Sequence, residues 1–166
     1  MPSPTPNAPH ARPAPNGKTA MVIGAGPAGL MAAERLAGDG YAVTIYEGMP
    51  SAGRKLLMAG KSGLNITHGE DLETFLTRYG TSRARLEPHL RKFGPVQIRE
   101  WCAGLGVETF VGSSGRVFPT AMKASPLLRA WLRRLDGLGC VIHYRHYWTG
   151  WNAAGQAVFK TTDGDV

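Results

Sequence analysis

Short apolar runs that alternate with helical repeats and glycine turns predict the first part of the architecture. Residues 20–23 are all apolar, as in a strand buried on both faces of a parallel sheet. Between residues 30 and 37, apolar side chains recur at the spacing of one helical face. Residues 41–46 are rich in β-branched and aromatic side chains, which favour a strand. This order predicts a βαβ unit over residues 20–47.

A junction with the sequence Gly-x-Gly recurs three times along the chain. It occupies residues 38–40, 104–106 and 137–139, and each time a helical pattern precedes it and a β-rich run follows. Glycine is common just beyond a helix C-terminus because it adopts the left-handed conformation that is needed there. We therefore expect a helix-to-strand turn at all three places.

The remaining pattern predicts more helices and two small groups of antiparallel strands. Helices are expected over residues 72–79, 83–93 and 96–103, and another begins at Pro126 with Ser125 as its N-cap. Residues 108–118 favour a hairpin, and residues 144–160 favour a small meander that turns at residues 152–155. Residues 48–69 are expected to form a loop.

The composition changes sharply after the first residues. Residues 1–17 hold six of the 12 prolines and no acidic residue, so we expect them to form a disordered tail. Residues 18–166 are expected to form one domain. The chain stops where the meander should lead back into the sheet, so we expect this domain to be the N-terminal, incomplete portion of a longer protein.

Composition argues against several classes of protein. No apolar run approaches the roughly 20 residues that cross a bilayer, and no signal peptide is visible, so we expect no membrane partner. Cys102 and Cys140 show neither disulfide nor metal-binding spacing, which indicates reduced thiols in a cytoplasmic protein. The five histidines are scattered, and no metal site is expected.

The formal net charge is +7, from 19 basic and 12 acidic residues. Much of it lies in two stretches, residues 78–92 and 123–134. Basic helices can bind nucleic acid or an acidic membrane surface, and they can equally be solvated faces or surfaces that meet an acidic partner domain. No interleaving of aromatic and basic residues accompanies them, so we interpret them as solvated faces and expect no nucleic-acid partner.

The chemistry of the βαβ unit lies in its glycine turn. Gly24, Gly26 and Gly29 form a G-x-G-x-x-G pattern between the first strand and the helix, and Pro27 suits the first helical turn. Glu47 follows Gly24 by about 20 residues, the spacing at which a carboxylate takes the ribose hydroxyls of a dinucleotide. The fold class predicted is therefore α/β, a Rossmann-like FAD/NAD(P)-binding βαβ domain with a parallel sheet, inserted helices and a small β-meander.

A second glycine-rich segment occupies residues 53–68. It combines basic residues, glycines that permit close backbone approach, and short polar side chains: Arg54, Lys55, Gly60, Lys61, Gly63, Asn65, Thr67 and His68. Such a segment can wrap a pyrophosphate or the edge of a flavin. On composition alone a mobile surface loop is an equally good interpretation.

The two segments together resemble the NAD(P)/FAD-dependent oxidoreductases of the aminoacetone oxidase or BaiN-like type. The resemblance rests on VIGAGPAGLMAAERLA, on GRKLLMAGKSGLNITH and on SSGRVFPTAMKASPLLRAWL, and it covers about residues 19–166. Many members read Gly-Gly-Arg-Cys-Asn in the second segment. This chain has Lys61-Ser62-Gly63-Leu64-Asn65 there, so no role of that cysteine carries over.

The resemblance implies FAD as the cofactor, with NAD(P)H as a candidate electron donor. It implies cofactor-binding roles for Gly24, Gly26, Pro27, Ala28, Gly29, Glu47, Arg54, Lys55, Asn65 and Thr67. It also implies that substrate-binding and flavin-closing segments belong to a further, C-terminal domain. Substrate and catalytic residues stay unknown, since a lone histidine such as His68 is more often structural than catalytic.

Three functions remain open from the residues. The leading one is the FAD-binding portion of a flavin-dependent oxidoreductase of unknown substrate, inactive as a fragment. The glycine turn also permits an NAD-binding dehydrogenase domain, although Glu47 would repel the 2′-phosphate of NADP. The third is a truncated, non-catalytic fragment or a basic interaction module.

Overall fold

The computed structural model describes residues 13–166, which contain nine strands and six α-helices. In chain order they are β1 (Thr19–Ile23), α1 (Pro27–Gly38), β2 (Ala42–Glu47), α2 (Arg54–Ala59), β3 (Thr67–His68), α3 (Leu72–Thr77), α4 (Arg83–Leu90), α5 (Pro95–Gly104), β4 (Thr109–Val111), β5 (Arg116–Pro119), α6 (Ala124–Gly137), β6 (Val141–Tyr144), β7 (Tyr147–Trp151), β8 (Ala157–Thr161) and β9 (Gly164–Asp165). Among the described residues, 13–55 and 132–166 form one compact unit, and 56–131 form a second.

The first unit is built on a parallel sheet with the strand order β1-β2-β6. Ile23 lies opposite Tyr46, and Glu47 lies opposite Tyr144. Helix α1 connects β1 to β2, so the predicted βαβ unit and the α/β fold class are confirmed. Because all three strands run in one direction, their carboxyl ends meet at a single edge of the sheet.

Helix α1 packs against this sheet through small and apolar residues. Leu30 and Ala33 are fully buried, as are Val43 and Ile45 on β2. Burying a side chain such as Leu30 contributes about 1.5–3 kcal/mol. The approach is closest at Gly29, where an added Cβ would lie 1.9 Å from the carbonyl oxygen of Gly24. Only glycine at this position lets the helix pack so close to the turn.

An antiparallel meander, β7-β8-β9, forms a separate sheet in the same unit. Phe159 on β8 stacks on Tyr46 with ring centroids 4.4 Å apart, and His143 stacks on Tyr46 at 5.1 Å. The predicted meander and its turn at residues 152–155 are confirmed. On β1, Met21 and Ile23 lie on the same face of the parallel sheet as Tyr46, and they are 49% and 43% exposed.

All three Gly-x-Gly junctions have the same geometry. The second glycine of each has a positive φ: 86° at Gly40, 73° at Gly106 and 81° at Gly139. In each, the amide that follows this glycine donates to a carbonyl five residues earlier, as from Tyr41 to Leu36 at 3.0 Å. This is the hydrogen-bond pattern of a Schellman motif, which satisfies the last helix carbonyls. The prediction of three helix-to-strand turns is therefore confirmed.

The second unit combines the antiparallel sheet β3-β5-β4 with helices α3 to α5 and the start of α6. Its core is a cluster of Leu64, Cys102, Ala124 and Leu127. The predicted hairpin is confirmed as β4 and β5, and β3 extends it.

Ion pairs organise the basic stretch at residues 78–92. Arg83 and Arg91 both pair with Glu73 and Glu87, at N–O distances of 2.5–3.0 Å. Hydrogen bonds from the Arg83 and Arg91 guanidinium groups hold the pKa of the Glu87 carboxyl below its usual value. Arg78 pairs in the same way with Glu70. These arginines are thus partly neutralised within the fold.

The prediction of a loop over residues 48–69 is wrong in part, since this segment contains α2 and β3. Residues 54–59, RKLLMA, are all good helix formers, so propensity favoured a short helix there.

The predicted N-cap of α6 is wrong. Helix α6 begins at Ala124, so Ser125 lies inside the first turn and is not the N-cap. Ala124 is buried against Gly60, and this packing places the first turn.

Most of the predicted tail, residues 1–12, lies outside the described residues. Within the described part, the Asn16 side-chain amide donates to the Asp39 carbonyl at 2.9 Å, and the Asn16 backbone N–H donates to Gly40. The boundaries of the tail and of a single domain over residues 18–166 stay predictions.

The close approach at Gly29 gives a test of helix packing. Gly29→Ala should lower the free energy of unfolding by about 3 kcal/mol, since backbone, not a flexible side chain, blocks the new methyl group. Gly38→Ala, at the end of the same helix and with open space around it, should raise that energy by about 0.4–1 kcal/mol. Urea unfolding of both variants measures the difference. Equal stabilities would contradict the packing described here.

The aromatic stack gives a test of pH dependence. Burial, and then the nearby His146, hold the pKa of His143 below its usual value near 6.5. The unfolded chain therefore binds a proton at a higher pH than the folded chain, so stability should fall as pH drops below about 6.5. His143→Phe, which keeps an aromatic ring against Tyr46, should reduce the drop in melting temperature between pH 7.5 and 5.5. An unchanged pH slope would show that His143 does not cause it.

Candidate dinucleotide-binding site

The glycine turn lies at the carboxyl end of β1 and is fixed to β2. Gly24 has φ 96°, a conformation that side chains with a Cβ rarely adopt. Its amide donates to the Tyr46 carbonyl at 2.7 Å, which continues the β1–β2 pairing one residue into the turn. The turn is therefore held in position by the sheet.

The Glu47 carboxylate lies directly beside this turn. One oxygen accepts a hydrogen bond from the Ala25 amide at 2.7 Å, and the other accepts one from the Met49 amide at 2.8 Å. Ala25 is completely buried. The structure thus brings the predicted ribose-binding carboxylate to the glycine turn and fixes its orientation with two backbone donors.

The N-terminus of α1 faces open space. Gly26 is the N-cap with extended backbone, and no side chain caps the helix. An added Cβ at Gly26 would meet nothing within 4 Å. The first helical amides, at Ala28 and Gly29, have no acceptor within the helix, and the helix dipole makes this end positive. An anion such as a pyrophosphate fits a site of this kind.

Two cations follow closely in the chain. The Gly53 amide donates to the Ala25 carbonyl at 2.8 Å, which brings the end of the loop after β2 to the glycine turn. Arg54 and Lys55 come next and are exposed. Neither forms an ion pair within residues 13–166. Their charges therefore remain available to an anionic ligand.

Sequence reasoning did not predict the hydrogen bonds from the backbone amides of Ala25, Met49 and Gly53, although Ala25 lies within the glycine turn and Gly53 opens the second glycine-rich segment. Each contributes a backbone amide, so the side chains carry little signal. The strongest sequence signal among them is Gly53, which directly precedes two basic residues and has φ 65° in the structure.

The other two predicted site residues belong to the second unit. Asn65 is exposed, and Thr67 on β3 lines a hollow of about 160 Å³ with Phe75, Phe93 and Ile98. Their assignment to the cofactor site stays a prediction. Gly60, interpreted above as permitting ligand approach, makes room for Ala124 instead, since its Cβ would lie 2.5 Å from that methyl group.

The other candidate residues, His68 and the two cysteines, pack against neighbouring residues of the fold. The His68 ring packs on Gly115, where an added Cβ would lie 2.5 Å from the ring. Burial raises the pKa of the Cys102 and Cys140 thiols to about 11, and both are unpaired. Across residues 13–166 there is no group of side chains that could hold a metal ion, and no helix long and apolar enough to span a membrane.

Solved structures share this fold. THI4 of Thermovibrio ammonificans is 19% identical with a TM-score of 0.54, covering 88% of this chain and 48% of that one. The 3-ketosteroid-delta4-(5alpha)-dehydrogenase of Rhodococcus jostii RHA1, solved with 4-androstene-3,17-dione, is 16% identical with a TM-score of 0.63, covering 88% and 42%. At these identities the likeness shows the fold alone, and this chain spans less than half the length of either protein.

A local match to a curated protein is closer in sequence. The beta subunit of the NADP(+)-dependent formate dehydrogenase of Moorella thermoacetica is 61% identical over 41 residues, which are 25% of this chain and 6% of that protein.

The model of the HI0933-like protein Rossmann domain matches residues 18–165, nearly the whole described chain. It confirms the Rossmann-like fold, and it agrees with the flavoprotein resemblance given by the glycine motifs. The chain belongs to the HI0933-like Rossmann domain family.

Proposed function

We propose that this chain binds FAD and forms the cofactor-binding portion of a flavin-dependent oxidoreductase. The observation that carries the proposal is the open space at Gly26, in front of an uncapped helix N-terminus and beside the fixed carboxylate of Glu47. Gly24, Gly26 and the first turn of α1, with Pro27, Ala28 and Gly29, would hold the pyrophosphate. Glu47 would accept hydrogen bonds from the ribose hydroxyls, and Arg54 and Lys55 would add positive charge near the phosphates.

The flavin would supply the hydride or electron transfer, and the chain would bind and orient it. Within the first unit, the backbone amides of the glycine turn and of the first turn of α1 would meet the phosphates, and Glu47 is the one carboxylate among the proposed ligands. A carboxylate there favours a ribose with free hydroxyls and disfavours a 2′-phosphate. In the second unit, Asn65 and Thr67 are further proposed contacts of the cofactor.

The remaining parts of the function are proposals of the same kind. NAD(P)H as electron donor finds support in the name of the formate dehydrogenase subunit matched over 41 residues. A cytoplasmic location is supported by two buried, unpaired thiols. Substrate-binding groups are proposed to lie on a further domain, since the matched region covers only 48% and 42% of two proteins of similar fold. No nucleic-acid or membrane partner is proposed.

Substitution at Gly26 separates binding from folding. Gly26→Asp should preserve or raise the melting temperature, because Asp is a good N-cap and nothing lies within 4 Å of the new Cβ. The same variant should lose FAD, since its carboxylate would occupy the space proposed for the pyrophosphate and repel the negative charge of that group. The flavin absorbance of the purified proteins and fluorescence titration with FAD measure binding. Equal FAD affinity in Gly26→Asp and the wild type would refute this site, and a wild type that binds NADH but not FAD would favour the dehydrogenase alternative.

Substitution at Glu47 measures the contribution of the carboxylate. Glu47→Gln keeps one acceptor oxygen near the Ala25 amide, but it removes the charge that strengthens hydrogen bonds from the ribose. The Kd for FAD should rise about five- to 150-fold, the equivalent of roughly 1–3 kcal/mol. Glu100→Gln, on the exposed face of α5, is the control and should leave the Kd unchanged. If both variants bind FAD as the wild type does, Glu47 has no role in binding.

A further inference from the structure

Arg145 has an unusual backbone conformation. Its φ is 61°, in the left-handed region, and Met122 is the other non-glycine residue with a positive φ among residues 13–166. Glycine and asparagine adopt this region far more readily than arginine does. An unfavourable conformation retained by a long charged residue is a reason to look for a function of its side chain.

Hydrogen bonds hold this conformation against the segment that carries Glu47. The Arg145 amide donates to the Met49 carbonyl at 3.3 Å, and the His146 amide donates to the Glu47 carbonyl at 2.9 Å. The His146 ring nitrogen Nδ1 lies 2.9 Å from the Tyr144 carbonyl and donates to it. The turn between β6 and β7 is thus fastened to the backbone at residues 47–49.

The order of the parallel sheet puts Arg145 third in a row of functional positions. The glycine turn follows β1, Glu47 ends β2, and Arg145 follows β6, in the strand order β1-β2-β6. Neighbouring strands lie about 4.8 Å apart. A nucleotide whose phosphates lie at the first position and whose ribose lies at the second therefore extends its base toward the third.

The groups at this third position suit a flat aromatic base. Arg145 is exposed and forms no ion pair within residues 13–166. Tyr147, 65% exposed, packs on Gly48, where an added Cβ would lie 3.1 Å from the tyrosine ring. A planar guanidinium stacks on aromatic rings and is attracted to their π-electrons.

We infer that Arg145 contacts the adenine ring of the bound nucleotide, and that its left-handed backbone is retained to present the guanidinium there. This inference rests on the proposed function. It goes beyond it by assigning a base-binding role to a residue outside the glycine and carboxylate motifs.

The experiment compares Arg145→Gln and Arg145→Gly with the wild type, using ADP and inorganic pyrophosphate as probes in calorimetric titrations. Arg133→Gln removes an exposed cation from α6 in the same unit and is the matched control. Both Arg145 variants should bind ADP about five- to thirtyfold more weakly, the range for a partly desolvated cation on a ring. Their affinity for pyrophosphate, and the ADP affinity of Arg133→Gln, should stay within about twofold of wild type.

The ligand-free proteins provide the second readout. Arg145→Gly should melt at or above the wild-type temperature, because glycine adopts the left-handed conformation without strain. Unchanged ADP affinity, an equal loss for pyrophosphate, or a selective loss for 2′-phosphorylated ADP would each overturn the inference. If the wild type binds FAD and ADP, and the Arg145 variants bind both equally well, this inference alone is wrong. A wild type that binds neither defeats the proposed function as well.

Discussion

The hydrogen bond from the Ala25 amide to the Glu47 carboxylate is the interaction on which the rest of the site depends. It joins the turn after β1 to the end of β2 at 2.7 Å, in a place where Ala25 is completely buried. A buried amide without an acceptor would be unfavourable by about 1–3 kcal/mol, so the carboxylate also stabilises the turn itself. The position of α1, and with it the open N-terminus at Gly26, follows from that fixed turn.

The carboxyl edge of the parallel sheet gathers groups that are far apart in sequence. Parallel pairing of β2 with β6 places Tyr144 opposite Glu47, although a whole second unit separates them along the chain. The Schellman motif at Gly139 makes this possible, because it ends α6 and starts the chain back into the sheet. The same motif ends α1 before β2, so both strands follow a helix through the same local turn, and their pairing in the sheet sets their common direction.

The parts of the proposed cofactor site differ in how far the sequence could predict them. The glycine turn and Glu47 were predictable because their signals, residue type and spacing, are local to one βαβ unit. The amides of Met49 and Gly53 were not, since any residue supplies a backbone N–H and only the path of the loop brings it to the turn. Arg145 carried no sequence signal, because its significance lies in a backbone angle and in the strand beside which it falls.

The sequence by itself determined the local elements: the βαβ unit, the three helix-to-strand turns, the hairpin and the meander. Each depends on residues within a few positions of one another, where glycine conformation and side-chain periodicity act directly. Tertiary structure decided the start of α6, the packing role of Gly60 and the pairing of β6 with β2. These depend on contacts between distant segments, and burial and close packing, which no local pattern encodes, select among the possible partners.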